Sequence, residues 1–153
     1  CGKNEELYQK LQQVDWHIPI HLYNFVDRMP ALMKSSDIVI SKAGGLIVTE
    51  SLACGLPMIL TEIIPGQETG NAEYVKAAQA GVIVNTPVDL LEALHHILAD
   101  DGAMLKRYTA NARMIGKPQS AFAVADILWQ AAHGRAGCRK NGNPQISQEG
   151  SPS

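Results

Sequence analysis

The residues with most chemical content in this 153-residue chain lie in two short stretches. The first is Ser41-Lys-Ala-Gly-Gly-Leu-Ile-Val-Thr-Glu50, which follows a short apolar run and leads into a helical pattern. Gly44 and Gly45 let the backbone come close to a ligand, because no Cβ intervenes. The N–H groups of Gly45, Leu46 and Ile47 then point out of a helix N-terminus, whose partial positive charge suits a phosphate. Glu50 lies about one turn further in, where a carboxylate can accept from vicinal hydroxyls such as those of a ribose. An ordinary strand–turn–helix connection would use the same glycines for tightness alone. The second stretch is Ile64-Pro-Gly-Gln-Glu-Thr-Gly-Asn71. Gln67, Glu68 and Asn71 supply donors and acceptors but no nucleophile, a set that matches hydroxyl-rich ligands. A plain polar turn with Asn71 capping the following helix is the competing reading. Both stretches follow strands, and open parallel sheets bind ligands at the C-terminal edge of their strands. One loop for phosphate beside one for hydroxyls points to a nucleotide-sugar.

Other chemistries lack their residues. The chain has no Gly-x-Ser-x-Gly elbow, no P-loop and no Gly-x-Gly-x-x-Gly. His95 and His96 are adjacent on a helical pattern and diverge, and Pro19 interrupts the interval between His17 and His21. No Asp-x-Asp pair is present to hold a divalent cation. No metal and no cofactor is therefore expected. Thirteen basic against fifteen acidic residues leave a net charge of −2, which gives no basic face for nucleic acid. No run approaches the roughly 18 apolar residues of a membrane span. Cys1, Cys54 and Cys138 are odd in number and far apart, which fits a reducing, cytoplasmic setting.

The elements that must carry these loops alternate. Strand-type runs fall at 21–26, 37–40, 57–61 and 81–84. Helical patterns fall at 4–13, 29–35, 46–54, 71–80, 87–99, 103–113 and 119–132. Gly55 stands where a left-handed residue ends the third helix. Thr86, Pro87 and Asp89 mark a capped start for the fifth. Strands alternating with helices predict an α/β domain with a parallel sheet covered on both faces. Residues 133–153 hold nine Gly, Pro or Ser and almost no large apolar side chain, so a disordered tail is expected there.

Four segments, Phe25-Val-Asp-Arg-Met-Pro30, Ser36 to Gly45, Thr49 to Pro57 and Ile64 to Tyr74, follow one another as in glycosyltransferase family 28. Over residues 1 to about 132 the chain resembles that family, in particular its diacylglycerol glycosyltransferases and monogalactosyldiacylglycerol synthases. The resemblance implies a Rossmann-like parallel-sheet domain that forms the C-terminal, donor-binding half of a glycosyltransferase-B fold. It implies an N-terminal acceptor domain elsewhere, and a first strand and glycine-rich loop ahead of Cys1. By position in the motifs, the backbone at Phe25 and Val26 would read uracil. Gly44, Gly45, Leu46 and Ile47 would hold the diphosphate, Glu50 the ribose, and Gln67, Glu68 and Asn71 would face the sugar. Gly2 and Asn4 fall near a nucleotide loop, and Lys42 occurs in lipid-glycosylating members. Ile47 departs from relatives that carry Thr, leaving backbone N–H alone at that point.

The activity so implied is inverting, metal-independent transfer of a hexose from a UDP-sugar to a lipid acceptor such as diacylglycerol. The general base would belong to the acceptor domain, so this domain alone would bind donor without turnover. The enzyme would act as a peripheral protein at the inner membrane face, reaching lipid through that acceptor domain. An alternative is a stand-alone UDP-sugar-binding subunit that needs a separate acceptor-domain partner. A non-hydrolysing sugar-nucleotide epimerase shares the architecture, but its carboxylates and histidine are not apparent.

Overall fold

The computed structural model describes residues 1–137. Contacts divide the chain into two units, Cys1–Lys117 and a second that begins at Pro118. The first unit holds α1 (Glu5–Gln12), α2 (Met29–Lys34), β1 (Val39–Lys42), α3 (Gly45–Ala53), β2 (Met58–Thr61), α4 (Thr69–Ala77), β3 (Gly81–Ile83) and α5 (Pro87–Ile115). The second holds α6 (Ser120–Gly137). The helix expected at 119–132 begins at Ser120 and runs on to Gly137, into the stretch expected to be tail. Residues 138–153 of the expected tail lie outside the described residues.

The three strands form one parallel sheet in the order β1-β2-β3. Val39 pairs with Met58 and Lys42 with Thr61, while Met58 pairs with Gly81 and Leu60 with Ile83. The period of two along β2 divides the core. Met58 and Leu60 enter one cluster with Val48 and Leu52 of α3 and Ala72 and Val75 of α4. Ile59 enters the other, with Val84 and Ile97, against Leu90, Leu94 and Leu105 of α5. Every side chain of β2 except Thr61 is buried, as a central parallel strand between two helical layers requires.

Several elements differ from expectation. Residues 21–26 form no strand. Their backbone makes two isolated bonds, Tyr23 accepting from the Cys1 ammonium at 3.0 Å and Asn24 from the Gly2 N–H at 3.2 Å. A strand needs a ladder of partners, and among the described residues none runs beside this segment. β1 starts two residues later than the apolar run 37–40 suggests and includes Ser41 and Lys42. Its register is set by β2, beginning with the Val39 N–H donated to Pro57 at 3.0 Å. α4 begins at Thr69, two residues early, so Asn71 stands inside the helix and does not cap it.

The start of α5 matches its sequence signals. The Thr86 hydroxyl accepts from the Asp89 N–H at 3.1 Å, and the Asp89 carboxylate accepts from the Thr86 N–H at 3.0 Å. The Asp89 carboxylate also accepts the Asn85 N–H at 3.2 Å, and this bond first, with those to Thr86 after it, holds the carboxyl below its ordinary range. The two helices expected at 87–99 and 103–113 are the two arms of α5, which breaks at Ala99–Gly102. Asp100, Asp101 and Gly102 are all left-handed there, with φ of 50°, 56° and 69°. Gly55, just past the C-cap of α3, has φ 73°, the left-handed conformation its place predicts.

Candidate functional site

The two loops singled out by their residue types sit side by side at the C-terminal edge of the sheet. β1 ends at Lys42 and β2 at Thr61, paired with each other in the ladder. The chain leaves β1 through buried Ala43 and enters α3 at Gly45. Gly44 is the N-cap, with φ −63° and ψ 142°, and no side chain caps this helix. The first N–H groups of α3, from Gly45, Leu46 and Ile47, therefore face outward without a side-chain acceptor. Leu46 is 80 % exposed. The Thr49 hydroxyl turns back to the Gly45 and Leu46 carbonyls at 2.9 and 3.0 Å.

Neither glycine of this turn is forced by its own backbone or neighbours. A Cβ at Gly44 would meet Glu68 Oε1 and Ile47 at 3.7 Å, and one at Gly45 would meet Asn71 Nδ2 at 3.7 Å. These are ordinary contacts, and both residues lie outside the positive-φ region. What the missing Cβ atoms leave is an open approach to the helix N-terminus. Glu50 is exposed on α3, about 7.5 Å along the axis from Gly45 at 1.5 Å per residue.

The second loop is tied to the first. Glu68 is only 7 % exposed. Its Oε2 accepts the Ile64 N–H at 3.1 Å, and its Oε1 lies 3.9 Å from Lys42 Nζ. Asn71 donates Nδ2–H to the Ala43 carbonyl at 3.0 Å, across 28 residues of sequence. Gln67 is exposed. The structure thus brings Gly44, Gly45, Glu68 and Asn71 together, with Lys42 beside them. Phe25 and Val26 line a different hollow of about 460 Å³ with Gly2, Asn24 and Met29. None of residues 42–71 lines that hollow.

Sequence reasoning missed the tie from Asn71 to Ala43, and it missed Glu62. Glu62 follows β2 in a left-handed conformation, with φ 45°, at the same sheet edge. Nothing in its residue type signals this, since non-glycine residues there are uncommon. Among the described residues, no group of three or more His, Cys, Asp or Glu side chains is placed to hold a metal ion. Among them, too, no helix is long and apolar enough to cross a membrane.

Comparison with known proteins gives this edge its context. The family model described as glycosyltransferase family 28 C-terminal domain matches residues 1–127. Monogalactosyldiacylglycerol synthase 3, chloroplastic, of Arabidopsis thaliana is 35% identical over 124 residues, covering 81% of this chain and 27% of that protein. The chloroplastic monogalactosyldiacylglycerol synthase of Spinacia oleracea is 32% identical over 128 residues, covering 84% and 24%. The chain spans about a quarter of the length of these relatives. Among solved structures, WaaG, a glycosyltransferase involved in lipopolysaccharide biosynthesis, superposes with a TM-score of 0.56 at 19% identity. That match covers 92% of this chain and 37% of WaaG. The glycotransferase of kitacinnamycin gives 0.51 at 17% identity, over 77% and 32%. The fold is that of glycosyltransferase-B enzymes, and the chain belongs to glycosyltransferase family 28, as its C-terminal domain.

Proposed function

We propose that this domain is the UDP-sugar-binding half of an inverting, metal-independent hexosyltransferase acting on a lipid acceptor such as diacylglycerol. The observation that carries the reading is the uncapped N-terminus of α3 behind Gly44 and Gly45, at the C-terminal edge of a parallel sheet. The N–H groups of Gly45, Leu46 and Ile47 receive the diphosphate, and Glu50 accepts from the ribose hydroxyls. Gln67 faces the sugar from the loop between β2 and α4, next to the Glu68 N-cap. The backbone at Phe25 and Val26 receives the base. The names of relatives, monogalactosyldiacylglycerol synthases, support a lipid acceptor.

In the reaction, an acceptor hydroxyl oxygen bonds to the anomeric carbon from the face opposite the diphosphate. The anomeric C–O bond to UDP breaks, and its electron pair stays on the diphosphate. Preorganised N–H dipoles at α3 stabilise that growing charge. The hydroxyl proton passes to a base on the acceptor domain. The domain described here holds the leaving group and supplies no base.

The test compares two glycine substitutions beside the same helix in the full-length protein. Gly45→Val puts a branched side chain over the N–H groups, and UDP affinity by titration calorimetry should fall at least about 100-fold, because several charge-assisted bonds are blocked together. Gly55→Ala forces a left-handed residue toward Arg113, whose Cγ stands 2.6 Å from the added Cβ. It should cost about 1 kcal/mol of stability and leave UDP affinity unchanged. Normal UDP binding by folded Gly45→Val would move the phosphate site elsewhere.

A further inference from the structure

We propose that Asn71 is a positioning residue for the diphosphate turn, acting through the Ala43 carbonyl and not on the donor; this rests on the reading of that turn given above. The ladder between β1 and β2 ends at Lys42 and Thr61, so the Ala43 carbonyl lies beyond the last strand pair. Ala43 is fully buried, and a buried carbonyl without a donor is costly. Asn71 Nδ2 supplies that donor at 3.0 Å. The bond also has a geometric effect. The peptide linking Ala43 to Gly44 is planar and trans, so its C=O and N–H point in opposite directions. Holding the carbonyl toward α4 therefore sets the direction of the Gly44 N–H, and with it the start of α3.

Two adjacent glycines make such a clamp necessary. Gly44 and Gly45 have the widest backbone freedom of any residues, and nothing in their own side chains selects the observed conformation. The same face of α4 offers a second tie. Glu68, nine-tenths buried, holds the Ile64 N–H and stands near Lys42. Lys42 is largely exposed, so this ion pair contributes little by itself. The Asn71 bond, made to a buried carbonyl, is the stronger constraint. The bond engages one of the two Nδ2 hydrogens, and it is through this one that Asn71 fixes the turn.

The proposal separates from direct sugar recognition through a ligand that has no sugar. UDP and UDP-galactose are titrated into the full-length wild type, Asn71→Ala and Asn71→Leu. The leucine variant nearly keeps the side-chain volume and removes the donor without adding a charge near the diphosphate, so it serves where the alanine variant fails to fold. A positioning role lowers affinity for UDP and UDP-galactose by the same factor, about tenfold for loss of one hydrogen bond to a buried group. Unchanged UDP affinity with weakened UDP-galactose would make Asn71 a sugar contact and overturn the proposal. A lowered melting temperature with both affinities unchanged would reduce Asn71 to a structural role and overturn it equally. Gly45→Val distinguishes the levels of failure. If it weakens UDP binding while the Asn71 variants do not, only the positioning role falls. If neither substitution affects UDP, or the wild type binds none, the reading of the turn falls with it.

Discussion

Glu50 is exposed on α3, clear of the bonds that occupy Glu68 and Asn71. If it accepts from the ribose, Glu50→Ala removes a charged hydrogen-bonding partner and little else. The expected loss is about 1.5–3 kcal/mol, or roughly 10- to 150-fold in UDP affinity. Titration calorimetry on the folded variant reads this directly, and unchanged affinity would remove Glu50 from the ribose. Single residues were legible in the sequence where their chemistry is local. The glycine pair, the acid one turn later and the polar loop all announce themselves by type and spacing. The Asn71–Ala43 bond does not, because its partners lie 28 positions apart and meet only through the parallel pairing of β1 and β2. Glu62 was equally hidden, since its left-handed backbone belongs to a residue type that rarely adopts it.

α5 was the most readable element, because its capping box is a local device that folds the same way in any context. The segment 21–26 was the least readable. Its apolar alternation describes a residue fit for a sheet, but pairing depends on a neighbour that the pattern does not contain. The two-residue shifts of β1 and α4 have a related origin, as register is fixed by the central strand and not by either element alone. That central strand also imposes a severe steric demand at the start of β3. A Cβ at Gly81 would stand 2.1 Å from the Met58 carbonyl oxygen and 2.9 Å from Val75 Cγ1. The first of these is backbone inside a ladder and cannot turn aside. Gly81→Ala should therefore destabilise by about 3 kcal/mol or more, at the upper end of overpacking costs. A melting temperature lowered by about 10 °C checks this, and a change under about 2 °C would show that the sheet can yield.

At the scale of the molecule, both core clusters lie between Ile38 and Ile115. The unit Cys1–Lys117 should therefore fold without α6. A chain ending at Lys117 is expected to melt cooperatively within about 4 °C of the longer one, a difference under about 1 kcal/mol. Differential scanning calorimetry of both would show it, and a non-cooperative or absent transition in the shorter chain would sink the idea. The corner at Ala99–Gly102 bears on how that unit closes. The arm before it, through Leu90, Leu94 and Ile97, touches one face of the sheet only. The arm after it begins on that face with Met104, Leu105 and Tyr108, then crosses to the other with Ala112 and Ile115. A straight rod could not do both, so three left-handed residues work as the hinge of a hasp. Ala112 joins the cluster of Val48 and Leu52 from some sixty residues further along the sequence, so the second arm is what fastens the end of the unit over the face that α3 and α4 cover.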